Sequence, residues 1–221
     1  IDSKGALASA HDLSLAAQGD ISLAGTTQAG GVLGIDTAGA VNNAGQLLAS
    51  TALSVMAGSI GNSGAISTDG ALELQAAGAL TNTGSAYAGQ KLTLGANSFT
   101  QGASAELSGA DDLAIDVAGA VDNAGKIVAA KSLDLKGGSV SSTGTLGTQQ
   151  GDAHLQARQG DLLLGGTVVS AAGLDGSATG AIRQSGQLAA VDLNLHADGD
   201  LATQGDMAAQ TASLTSGATL S

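Results

Sequence analysis

The chain has 221 residues, with 7 Lys+Arg against 19 Asp+Glu and a net charge of −12. Phosphate binding needs clustered basic side chains, so this balance speaks against a nucleic-acid or anionic-membrane partner. Charged residues are only 12% and hydrophobic ones 43%, which excludes a disordered acidic tail.

Two further absences narrow the chemistry. There is no cysteine, hence no disulfide and no thiolate metal site, and there is no proline. Proline removes a backbone donor, and a chain made mostly of strand ladders avoids it. Turns are left to 35 glycines. Tyr87 and Phe99 are the only aromatics, too few for stacking platforms. Thr37 to Thr68 carries no charge, but its apolar residues alternate among Gly, Ser and Asn. That is not a membrane helix, and no membrane insertion is expected.

The stretch LGIDTAGAVNNAGQLLAST, from Leu33 to Thr51, sets a pattern that the rest of the chain repeats. An alternating apolar pair, Leu33 and Ile35, is followed by Val41 and Asn43, then Gly45, then Leu47 and Ala49. The set restarts at Leu53 and again at Leu72, a period of about 20 residues that marks a solenoid. One column runs Leu15, Ile35, Val55, Leu74, Leu94, Ile115, Leu135, Leu155, Leu174, Leu195 and Leu214. A second runs from Ile21 through Val41, Ile60, Leu80, Phe99 and Val121 to Leu220. A third holds Leu47, Ile66, Ala86, Ile127, Leu146, Val168, Leu188 and Met207. A small insertion is expected around Gly165–Gly166 and Gly173 to Gly180.

Alternation within each unit is the two-residue strand period. Three short strands cannot bury anything alone, but stacked on a copy each pairs with its equivalent above and below. The prediction is an all-β, right-handed parallel β-helix of about eleven 20-residue rungs with three strands each. It is expected to be one repeat segment over 1–221, uncapped at both ends and part of a longer rod. The chain would open in the last strand of a rung, on the match of Gly5–Ala8 to Gly45–Leu48, and stop in the middle strand of another.

Asn43, Asn62, Asn82, Gln101, Asn123 and Ser142, with Gln184 further on, share one inward position. Stacked amides satisfy one another, so a structural ladder is expected there rather than a binding track. Outward, Lys91 and Asp112, Asp111 and Lys131, and Asp116 and Lys136 fall on successive rungs as opposite charges. Asp111, Asp112 and Asp116 are also the densest acidic cluster, the one place where a carbohydrate-cleaving groove is conceivable. His11, His154 and His196 lie in no metal-ligand spacing. No catalytic residue, cofactor or metal is expected.

The units GAVNNAGQLLAS, GALTNTGSAYAG and GAVDNAGKIVAA resemble the repeats of filamentous haemagglutinin, over essentially the whole chain. That family comprises large bacterial exoproteins exported by two-partner secretion, adhesins and contact-dependent growth-inhibition proteins among them. The resemblance implies a secreted or cell-surface shaft in an adhesin that attaches to host cells. A host-cell receptor or glycan and an outer-membrane secretion partner are the implied partners. The stalk of a growth-inhibition exoprotein is the alternative, and a β-helix carbohydrate-active enzyme a third. The Arg-Gly-Asp motif of some members is absent, since Gln159 follows Arg158. Heparin binding fits an acidic segment poorly.

Overall fold

The computed structural model describes residues 1–221. It contains 33 strands and no helix, so no helix is long and apolar enough to cross a membrane. The strands form three sheets of eleven, and every pairing is parallel, each strand beside the third one before and the third one after it. This is a β-solenoid of eleven rungs. One rung consists of Val32–Thr37 on what we term the leading face, Ala40–Asn43 on the middle face and Gln46–Ala49 on the trailing face.

Alternation sets which side chains point inward. In the strand Ala71–Ala76, Leu72, Leu74 and Ala76 are buried while Glu73 is exposed. Inward residues from all three faces merge into a single cluster of 47 buried hydrophobic residues. Thr37, Ala57, Ala76, Val117 and Ala157, all buried, close the corner between leading and middle faces. The backbone ladder continues through the corners: Gly45 and Gln46 donate to Leu23 and Gly25 on the rung below. With 167 backbone–backbone hydrogen bonds, few buried backbone groups are left unpaired.

At the corner between middle and trailing faces successive rungs approach closely. A Cβ built on Gly45 would lie 1.9 Å from the carbonyl oxygen of Gly25, and one on Gly64 2.0 Å from that of Gly45. No glycine has positive φ, so glycine is needed here for close approach and not for an unusual backbone conformation.

The register departs from the sequence reading in four places. Leu174 pairs with Ala153, and Gly176 takes the position between Leu155 and Leu195. With no side chain at Gly176, the Leu195 and Leu162 methyls move into the space, 2.7 and 3.3 Å from where its Cβ would be. Ala178, between Ala157 and Ala197, is the small corner residue of this rung. The extra residues fall at Arg158–Asp161, because Leu162 stands opposite Val140 while Ala157 stands opposite Gly137. A second widening, Gly102–Ala105, hides Leu107, which lies between Ala86 and Ile127 in the trailing column. Finally, Asp2–Ser3 pair with Ser22 and Leu23, so the first strand belongs to the middle face.

Candidate functional site

The inward amides sit at the end of the middle strand, next to the corner glycine, and all are buried. Asn43 Nδ2 donates to Asn62 Oδ1 at 2.7 Å, Asn62 Nδ2 to Asn82 Oδ1 at 2.7 Å, and Asn82 Nδ2 to Gln101 Oε1 at 2.9 Å. Each amide also donates across the corner to a carbonyl of the next rung, Ala65, Ser85 and Glu106 respectively. The Gly45 N–H returns a bond to Asn43 Oδ1 at 3.2 Å. Both amide protons and the oxygen are consumed inside the coil.

The chain of amides breaks after Gln101. Its side chain is one methylene longer and stands before the widened corner Gly102–Ala105. Gln101 Nε2 reaches the Lys126 carbonyl at 3.2 Å instead of Asn123. Asn123 Oδ1 is left buried without a donor, while its Nδ2 donates to Ser142 Oγ at 3.0 Å. Leu164 then occupies the position, and Gln184 turns to its own corner, donating to the Gly186 carbonyl at 2.6 Å. The six polar residues therefore make two runs, four long and two long.

The acidic cluster does not converge. Asp111 faces Lys131 at 2.7 Å, and its hydrogen bond and charge hold the lysine above its ordinary 10.5. Asp112 accepts from Ser132 Oγ at 2.6 Å and makes no ion pair with Lys91. Asp116 pairs with Arg158 at 2.5 Å rather than with Lys136, which instead reaches Asp134 at 2.6 Å. Lys136 stands directly beside Asp116 in register, but Asp134 lies two residues back on the same outer face and is the nearer partner. Arg158 comes from the widened corner and crosses two rungs, also donating to the Val117 carbonyl at 2.9 Å. Spacing alone could not have found it. The Lys126–Glu106 pair, 2.9 Å apart, could have been read from the 20-residue period and was not.

Arg158, Lys136, Asp116 and Asp134 border a surface concavity of about 710 Å³ whose floor is Gly95, Ala96, Ala114 and Ala118. Its carboxylates are matched by cations, and no histidine lines it. His154 lies 3.2 Å from Asp175 and His196 3.2 Å from Asp198, both on the exterior. No group of three or more His, Cys, Asp or Glu side chains is placed to hold a metal.

Many of the remaining aspartates fasten rungs. Asp12, Asp20, Asp152 and Asp161 each accept the backbone N–H of a residue one rung later, namely Val32, Ala40, Gly173 and Ala181, at 2.7–2.8 Å. The signal was present in the sequence: each stands at a corner, 20 or 21 residues before its donor.

Comparison with known proteins agrees with this architecture. A haemagglutinin-repeat family model matches residues 1–58, 52–113, 100–157 and 142–221, four overlapping matches that together span the chain. None of the curated proteins and none of the solved structures compared with the chain matches it. The repeats so matched are a structural, adhesin-type family associated with the extracellular space or the cell surface. Matched along its whole length, the chain belongs to the haemagglutinin-repeat family.

Proposed function

We propose that this chain is a length of shaft in a large secreted bacterial surface adhesin, holding a contact with host cells away from the bacterium. The observation that carries this reading is the fate of the polar groups. The inward amides are spent on rung-to-rung bonds, and many of the outward carboxylates on neighbouring cations, hydroxyls and backbone N–H groups. A molecule built this way resists bending and unstacking along its length. A host-cell receptor or glycan would be the distal partner and an outer-membrane transporter the export partner. The carbohydrate-cleaving alternative needs carboxylates free to act as acid and base, and Asp111, Asp112 and Asp116 are each engaged with a different side chain.

The amide ladder separates a shaft from a binding track. In Asn62→Leu, Asn82 Oδ1 loses its donor, and Asn43 Nδ2 keeps only the Ala65 carbonyl. Stability should fall by about 1–3 kcal/mol. Attachment to host cells, compared at equal folded protein, should not change. Lost attachment with an unmoved melting temperature would make the ladder a binding track.

A further inference from the structure

The three outer faces are not alike in charge. The leading-face strands carry Asp36, Glu73, Asp116, Asp134, Lys136, Asp175 and Asp192, whereas the trailing-face strands carry only Glu106, Lys126 and Asp206. Glu106 and Lys126 neutralise each other at 2.9 Å, so this face contributes one net charge to a chain of −12. Down its outward column the residues alternate in size from rung to rung. Leu48, Tyr87, Val128 and Val169 are large, and Ser67, Ser108, Gly147 and Ala189, interleaved with them, are small. Tyr87 and Val169 are more than two-fifths exposed. Hollows of about 180 and 290 Å³ lie beside Ser67 and Ser108.

Such a column fits a reversed copy of itself. We propose that the trailing face is a self-association surface on which a second copy of this chain packs antiparallel, about a two-fold axis between the rungs of Ser108 and Val128. The axis lies in the contact plane, along the strands, so the column meets itself upside down. Tyr87 then enters the gap at Gly147 of the second copy, Leu48 that at Ala189, Val169 that at Ser67, and Val128 that at Ser108. The same axis sets Glu106 against Lys126 of the second copy, twice over. Packing the rods parallel reverses the strand direction and can bring this column onto itself only with like against like, Tyr87 on Tyr87. A self-complementary patch of this kind is what a two-fold interface requires.

Charge and area favour a copy over an unrelated partner. Two chains of −12 repel, and on this face, which carries a single net charge as the middle face with Asp2, Asp122 and Arg183 also does, they approach with far less repulsion than on the leading face. Only a surface with the same rung spacing keeps large residues opposite small ones over eight rungs. Eight rungs at about 4.8 Å and four residues at about 3.3 Å cover roughly 500 Å² per chain, or roughly 1,000 Å² together, the lower bound of a specific interface.

Sedimentation of the intact chain at about 100 µM, where even a micromolar dimer is filled, should give twice the 20.9 kDa chain mass. Glu106→Lys sets lysine against lysine at both contacts and should weaken the dimer about tenfold or more, with melting unchanged. The exchange Glu106→Lys with Lys126→Glu should restore it. Because the chain has no cysteine, register can be read by cross-linking. Ser67→Cys rods mixed with Val169→Cys rods should form a disulfide-linked pair, and neither should cross-link alone. A monomer at that concentration, a dimer indifferent to Glu106→Lys, or Ser67→Cys rods that link to one another would each overturn the proposal.

Discussion

Leu74→Asp should destabilise the rod by about 3–5 kcal/mol, the cost of a buried charge with no partner. Leu74 is 2% exposed and stands between Val55 and Leu94 in the leading column. No cation and no water-accessible edge lies within that column, so the carboxylate has no route to solvent without opening two rung contacts. Burial raises the acid's pKa, so the penalty is greatest above the folded-state pKa and eases as pH falls through it. Gln75→Asp, one residue away and pointing outward, should change stability by no more than about 0.5 kcal/mol. Urea melts of the two variants at pH 7 make the comparison. Equal losses would mean that inside and outside are exchanged in that strand.

Gly64→Ala should be nearly as damaging, although it adds a single methyl group. The new carbon would sit 2.0 Å from the Gly45 carbonyl oxygen and 2.8 Å from the Ala44 carbonyl carbon. Both are backbone atoms fixed by the ladder, since Gly64 and Ala65 donate to the Asn43 and Gly45 carbonyls. No rotamer relieves the clash, and the two rungs must part at that corner. Overpacking typically costs about 1–3 kcal/mol, and this site belongs at the upper end because nothing there can yield. Gly34→Ala, whose Cβ would meet nothing within 4 Å, is the control and should be nearly neutral. A Gly64→Ala rod that melts with the parent would remove close corner stacking from the account.

Inward columns were legible because they depend only on alternation and period, and both survive in local sequence. The middle column was read correctly from Ile21 to Leu220, across two rungs of 22 residues. Errors arose where an apolar residue was not the one that mattered. Leu174 was the only leucine near the expected position, yet backbone pairing put Gly176 there, and long-range leucines took up its volume. Side-chain partners outside were less legible. Rung neighbours fix which Cα atoms are adjacent, not which way a lysine turns, so Lys136 chose Asp134 over Asp116. The Arg158–Asp116 pair spans two rungs from an enlarged corner, beyond any nearest-neighbour rule. The break after Gln101 follows from the adjoining four-residue corner, which a column of polar residues alone does not reveal.

The account rests on each rung being an interchangeable unit that touches only its neighbours. Removing residues 53–71 deletes one whole rung and joins Ala52 to Leu72, the residue that already sits in Leu53's register. Asn43 then faces Asn82, Gly45 faces Gly84, and Leu47 faces Ala86, all compatible pairs. Removing residues 53–62 instead sends a leading-face position into a trailing corner and puts every later column out of phase. Thermal unfolding followed by circular dichroism should find the 53–71 deletion folded and cooperative, slightly below the parent, and the 53–62 deletion unfolded or nearly so. Equal damage from the two deletions, or an unfolded 53–71 deletion, would contradict the stacked-rung shaft.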